Sequence, residues 1–412
     1  MNKDHPQADE LFDPDKLPGF HDPFAGGGAL PMAAQRLGLE SQASDLNPVA
    51  VLINKAMIEV PPRFAGQAPV NSVARSDRSL VEREWLGASG LAEDVRYYGR
   101  WMRDEAERRI GHLYPPVTIT DEIVTDRPDL KPYHGEKLTV IAWIWARTVM
   151  SPNPAFKDVH TPLVSSFILS NKAGNKAFVT PIVHGRTYRF VVSAGEPPPE
   201  AKDGTKLGRG TFRCLLSSVA ISTDYIKEEA QAGRMQHRLL AVVTKGTRGR
   251  IYLSPTQEMV DLSKTAKPDW QPDTKFYCDA LGFRVGNYGM MKWSDLFTPR
   301  QLVALSTLNN LVDEARVKIE KEAILAGMKD DKVSIVDGGT GARARAEATS
   351  VYLAFGVSKT SNRSNALSAW MPSVQCPGHL FSRQAIAMCW DFAEANIITG
   401  PSGSFLSMTD DV

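Results

Sequence analysis

The stretch that decides the fold runs from Phe20 to Asn54 and reads FHDPFAGGGALPMAAQRLGLESQASDLNPVAVLIN. It opens with a short strand end at Phe20-His21-Asp22-Pro23-Phe24 and breaks at Ala25-Gly26-Gly27-Gly28. Leu30, Met32, Ala33, Ala34 and Leu37 then recur at helical spacing, with Pro31 tolerated in the first turn and Gly38 as the stop. Leu39 to Ser44 reads as a second strand, closed by Asp45-Leu46-Asn47-Pro48, and Val49 to Ile58 as a second helix. Strand, glycine turn, helix, strand, acid, helix is the opening of an α/β doubly wound sheet, a Rossmann-like arrangement.

The chemistry of this stretch follows from its backbone. Glycines directly after a strand let the chain bend sharply and approach a ligand with no side chain in the way. The helix start behind them offers free N–H groups, which suit a carboxylate as well as a phosphate. Asp45 lies 17 residues past Gly28 at the end of the next strand, where a carboxylate accepts hydrogen bonds from ribose hydroxyls. Asp22 ends the first strand, where an anion faces an ammonium group. A ligand with an ammonium, a carboxylate and a ribose satisfies all three features, and S-adenosylmethionine has those groups. A dinucleotide is the chemical rival, but its G-x-G-x-x-G/A pattern needs a small residue where Pro31 stands.

Outward from this stretch, residues 1–19 read as a disordered lead-in and residues 20–64 as the cofactor-binding part of the core. Residues 59–90 are loop-like. Leu91 to Leu113 predicts an amphipathic helix with Leu91, Val95, Tyr98, Trp101 or Met102, Ile110 and Leu113 on one face, the main element of a helical segment over 65–150. Residues 137–150 hold a buried strand or helix end. Residues 151–297 read as a β-rich insert within a larger mixed α+β interruption of the core, with strands expected at 178–183, 188–192, 239–243 and 250–253. Residues 298–412 read as a helical segment returning to the core, with helices at 298–328, 343–357 and 380–395.

The chain has 412 residues, 42% of them hydrophobic, enough for more than one packed core. Its 48 Lys plus Arg balance 47 Asp plus Glu, so nucleic-acid binding would need a local basic face. No apolar run is long enough for a membrane span. The N-terminus lacks a basic start and apolar stretch. Four cysteines, Cys214, Cys278, Cys376 and Cys389, give no disulfide framework, so a cytoplasmic protein is expected.

DPFAGGGALPMAAQRLG (22–38) followed by ASDLNPVAVLINKA (43–56) resembles the first two motifs of the amino-group DNA methyltransferases. More narrowly it resembles a subgroup of large adenine-specific methyltransferases found near phage-defence genes. The resemblance continues through AWIWARTVMSPNP (142–154), AGRMQHRLLAVV (232–243), GRIYLSPT (249–256), LGFRVGNYGMMKWSDLFTPRQLVAL (281–305), VYLAFGV (351–357) and FSRQAIAMCWDFAEAN (381–396). It implies that Asp22, Phe24, Gly26, Gly27 and Gly28 line the methionine end of S-adenosylmethionine, that Asp45 binds its ribose, and that Asn47 lies close by. The implied activity is methylation of an exocyclic amino group, of adenine, in DNA.

Two departures qualify that expectation. The family's catalytic Asp/Asn-Pro-Pro-Tyr motif is not matched by Val60-Pro61-Pro62-Arg63, Tyr114-Pro115-Pro116-Val117, Glu196-Pro197-Pro198-Pro199 or Ser151-Pro152-Asn153-Pro154, so no catalytic residue is assigned. The chain is therefore expected to be an internal fragment or truncated product, with a second polypeptide as the source of the missing motif. Where the subgroup carries a four-cysteine zinc ribbon, this chain has Ser151, Phe156, Cys214 and Ser217; one thiolate cannot hold a structural zinc, and no metal is expected. Gly233 to Arg250 is the most basic window and contains no acid; Arg234, Arg238, Lys245, Arg248 and Arg250 are its candidate DNA contacts. Two other readings stand beside the methyltransferase: an inactive fragment or paralogue that binds cofactor, DNA or a partner, and a nicotinamide-dependent oxidoreductase.

Overall fold

The computed structural model describes residues 5–11, 13, 16–76, 84–276, 282–382, 385–400 and 403–412. Cys278, parts of the lead-in and parts of the stretches 59–90, 281–305 and 381–396 therefore lie outside the described residues. In chain order, β1 (Phe20–Asp22) leads through the glycine turn into α1 (Ala29–Arg36), then β2 (Ser41–Ala43) and α2 (Pro48–Asn54). Next come α3 (Ser89–Ile110), α4 (Asp121–Asp126), β3 (Val140–Met150) and β4 (His160–Leu163). After these lie β5 (Ile168–Ser170), β6 (Ala177–His184), β7 (Thr187–Ala194) and α5 (Thr223–Gln231). The hairpin β8 (Gln236–Gly246) and β9 (Gly249–Leu253) precedes α6 (Gln257–Ser263), α7 (Pro299–Leu325), α8 (Ala342–Ser361) and β10 (Asp391–Ala395).

The chain divides into two compact units, Met1–Gly99 with Val312–Ala354 and Arg100–Leu311 with Phe355–Val412. In the first unit β1 and β2 pair in parallel, Phe20 opposite Ser41 and Asp22 opposite Ala43. Such a pair needs a crossover, and α1 supplies it. The apolar stripe of α3 does what its spacing predicts: Leu91, Val95 and Tyr98 are buried. Leu91 packs with Val60, Phe64, Ala344 and Ala348. A charge pair is sealed into the same unit. Arg345 Nη2 donates to Asp94 Oδ2 at 2.7 Å with both side chains inaccessible to solvent. Asp94 also accepts from the amides of Val70 and Asn71, and Arg345 lies over the Phe64 ring. Removing one member of such a pair costs about 3–5 kcal/mol, since the other charge stays buried without a partner.

The second unit is organised on β3. Its sequence VIAWIWARTVM is buried at every position except the last, as expected of a strand covered on both faces. β8 pairs antiparallel along one edge of it, and β9 extends the sheet beyond β8. The other edge is shared, with β10 against Ala142–Ala146 and β4 against Arg147–Met150. A second antiparallel sheet, β5-β6-β7, packs its apolar face (Ala177, Val179, Phe190, Val192) against Ile144, Ala146, Leu240 and Val243.

The architecture is mixed α/β, and several expectations need correction. Among the described residues the doubly wound parallel sheet goes no further than the β1–β2 pair, and the large sheet is antiparallel. The described residues of 380–395 form no α-helix. Leu380–Ser382 makes a short 3-10 turn and Asp391–Ala395 forms β10, buried from Phe392 to Ala395, where Ala393 and Ala395 suit a helix as well as a strand. Residues 59–90 are not all loop: Val60–Arg63 and Ser72–Ser76 are helical turns, with Pro61 and Pro62 in the first. The helix after β2 passes through a π-helical stretch, Lys55–Glu59. The lead-in carries one helical turn at Ala8–Leu11.

Candidate functional site

The glycine turn is built by φ angles that L side chains avoid: Gly26 at 50° and Gly28 at 79°. Gly28 caps α1 in the left-handed conformation. The turn is closed from several sides. Asp22 Oδ1 accepts from the Phe24 amide at 3.1 Å, and the Ala25 amide donates to the Ser44 carbonyl at 3.0 Å. Asp45, directly beyond β2, reaches back: its Oδ2 accepts from the Gly26 amide at 2.8 Å and its Oδ1 from the Asn47 amide at 2.8 Å. The amides of Asn47 and Gly26 hold the Asp45 carboxyl below the usual carboxylate range, so it is ionised at neutral pH. Each oxygen keeps a free lone pair, so the carboxylate can still accept from ligand hydroxyls. Asn47 serves as the N-cap of α2, its Oδ1 accepting from the Val49 amide at 3.0 Å.

The structure thus brings Asp22, Gly26, Gly27, Gly28, Asp45 and Asn47 together around one turn. The amides of Gly27, Ala29 and Leu30 make no bond to protein among the described residues, as expected at a helix start. Phe24 stands at the same turn with 86% of its surface exposed, so its ring is a solvent-facing wall. Asn54 is a residue that sequence reasoning missed. It is buried in α2 and donates to the Gly26 carbonyl at 2.8 Å and the Ala50 carbonyl at 2.9 Å. Its Oδ1 has no hydrogen-bond partner and occupies the space that a Cβ at position 28 would need. Only its place one turn past Ala50 on a helix facing the glycines signals this, and that requires the fold.

The proline-bearing candidates for a catalytic motif all hold structural roles. Val60–Arg63 is a helical turn and Tyr114 is buried, with its hydroxyl on the Arg300 carbonyl. Asn153 caps the short turn Pro154–Phe156, and Pro199–Ala201 is another such turn. Although Ser151 and Cys214 are 63 residues apart, Ser151 Oγ meets Cys214 Sγ at 3.2 Å in a buried cluster. Burial raises the Cys214 pKa, but the hydrogen bond with Ser151 and the nearby backbone amides of Ser217 and Leu216 outweigh it and leave it lowered. No group of three or more His, Cys, Asp or Glu able to hold a metal occurs among the described residues.

The basic window is not one surface. Arg234 follows α5 and is held by Glu229, Nη2 to Oε1 at 2.6 Å. Arg238 lies on β8 with its guanidinium 5.0 Å from the Tyr188 ring centroid. Lys245 and Arg250 face each other across the β8–β9 hairpin, with Arg248 in its turn. Seven residues of extended strand separate Arg238 from Lys245, about 23 Å. The hairpin end adjoins a cleft that includes Arg250, Tyr133, Asn175 and Lys176. No helix among the described residues is long and apolar enough to cross a membrane.

No protein-family model matches the chain, and neither a curated protein nor a solved structure matches it.

Proposed function

We propose that the chain is the S-adenosylmethionine-binding part of a DNA methyltransferase acting on an exocyclic amino group, of adenine. One observation carries the reading. The strand-end acid Asp45 is fastened to the glycine turn through the Gly26 amide, so that turn, helix start and ribose-binding carboxylate form one pre-assembled cup. The donor set fits the cofactor. Asp22 would hold its ammonium, the amides of Gly27, Ala29 and Leu30 would receive its carboxylate, and the spare lone pairs of Asp45 would accept from its ribose hydroxyls. When bound, the cofactor supplies a methyl group activated by a sulfonium. The protein's own contribution here is to position it without reorganisation.

A second reading is favoured by a specific observation. The faces of the β1–β2 pair are largely exposed, as are Phe24, Leu30, Leu46 and Val49 around it. Parallel strands are otherwise buried on both faces, and exposed apolar groups of this kind mark contact surfaces. A second polypeptide that covers this pair and brings an Asp/Asn-Pro-Pro-Tyr loop would complete the enzyme; without one, the chain binds cofactor only. Stabilisation against heat by S-adenosylmethionine and S-adenosylhomocysteine, with none from NAD, supports the cofactor site. Stabilisation by NAD alone overturns it in favour of an oxidoreductase. Labelled methyl incorporation into DNA, by the chain alone or with a partner, then tests the enzyme.

A further inference from the structure

The second unit holds a cavity of about 560 Å³, away from the glycine turn, whose wall carries Arg238, one of the candidate DNA contacts. Its walls come from β7, β8, the far end of β3, the start of β4, and the short helices α4 and α6. That volume lies within the range of small-molecule sites.

Its polar groups are sorted by sign. On the strand wall stand Arg189 and Arg238, and among the described residues neither is in an ion pair. The other two cations at the cavity are already engaged. Arg127 binds Asp129 and the carbonyls of Val192 and Tyr252, and Lys264 binds Asp261. Arg238 lies over the Tyr188 ring and donates to the Tyr188 carbonyl at 3.1 Å, and among the described residues its other N–H groups make no hydrogen bond. A guanidinium held this way loses little entropy on taking up a planar or tetrahedral oxyanion. Beside it Thr148 Oγ1 meets His160 Nδ1 at 3.1 Å. Burial keeps the His160 imidazole below its usual pKa, hence neutral and able to donate without adding charge. The helix wall has the opposite character. Glu122 and Asp126 of α4 are four residues apart and therefore on one face. A bare anion would gain nothing from these carboxylates. A ligand with an anion at one end and hydrogen-bond donors at the other would use both walls.

We infer that this cavity binds an amino-bearing nucleotide, its phosphate on Arg238 and Arg189 and its base amino group on the carboxylates of α4. The nucleotide is either a free mononucleotide or one presented by a DNA strand. The chemistry is the same, and it is independent of cofactor binding at the glycine turn.

The test is calorimetric titration of the full chain with 2′-deoxyadenosine 5′-monophosphate, thymidine 5′-monophosphate and a short single-stranded oligodeoxyadenylate. Binding of deoxyadenylate, as monomer or strand, is expected to weaken about tenfold or more in Arg238→Ala and more than in Arg238→Lys. Thymidylate, which lacks the amino group, is expected to bind more weakly than deoxyadenylate. Arg189→Ala, a change at an exposed position, gives a second reading should Arg238→Ala lower the melting temperature. Response to the monomer assigns the source as free nucleotide, and response to the strand alone assigns it as DNA. Folded chain that takes up neither, or whose uptake is unchanged in both variants, overturns the inference. D45A tests the glycine turn separately: loss of S-adenosylhomocysteine binding there leaves this site untouched.

Discussion

Gly28→Ala is the sharpest perturbation of the glycine turn. At φ 79° an alanine is strained by about 1 kcal/mol or somewhat more. The new Cβ would also stand 3.1 Å from Asn54 Cγ and inside van der Waals contact of its Oδ1, so the amide must move. Moving it breaks its bonds to the Gly26 and Ala50 carbonyls, each worth about 1 kcal/mol. The expected loss is therefore about 3 kcal/mol, felt first in the turn. Asn54→Ala alone loses only the two hydrogen bonds, about 2 kcal/mol, and opens space for a methyl group at position 28. The double variant should then lose about 3 kcal/mol rather than the summed 5, a coupling of about 2 kcal/mol. Urea unfolding of the four proteins measures it, and S-adenosylhomocysteine affinity of the survivors reports the turn. An unchanged midpoint in Gly28→Ala, or strict additivity in the double variant, would refute the reasoning.

Other outcomes follow from the same geometry. The Asp45 carboxyl is lowered by folding, so its bonds to the turn are complete above the unfolded value of about 3.9 and are lost as pH falls through the lower folded value. The Gly26 amide proton should shift over that acid range in the wild type and not in Asp45→Asn. In the second unit, burial opposes both charges of Arg300 and Glu394, yet their pairing at 2.6 Å raises the first and lowers the second. Trp145 and Thr298 also donate to Glu394, so Glu394→Gln should cost about 3–5 kcal/mol in urea unfolding. Lys245→Ala and Arg248→Ala should each lower the slope of log affinity for duplex DNA against log salt by about 1. Arg234→Ala should change it less, because Glu229 already holds that guanidinium. Equal effects at all three positions would contradict the division of the basic window.

The sequence made the glycine turn legible because its features fall within one short strand–helix–strand unit: Gly26 and Gly28 set the turn through their own backbone, and Asp45 and Asn47 stand where the second strand ends and the next helix begins. The long helices were legible for the same reason, their apolar stripes being repeated over many turns. Contacts between distant segments were not. Asn54 looked like any helix residue until α2 was laid against the turn. The Ser151–Cys214 contact spans 63 residues, and Arg234 meets a glutamate just outside the window that seemed free of acid. β3 was ambiguous because a strand buried on both faces shows no alternation, and β10 was misread because alanine fits either periodicity. The interleaved units could not be read at all, since their boundaries fall inside α3, α7 and α8, where the helical pattern runs on without a break.

The most direct measurement is calorimetry of the intact chain with S-adenosylhomocysteine, repeated with Asp45→Ala shown to be folded by its melting curve. One saturable site, abolished or severely weakened by the substitution, is what a carboxylate-braced glycine cup requires. Silence from the folded wild type, or an isotherm that the substitution leaves unmoved, would mean that the turn is only a way of joining a strand to a helix.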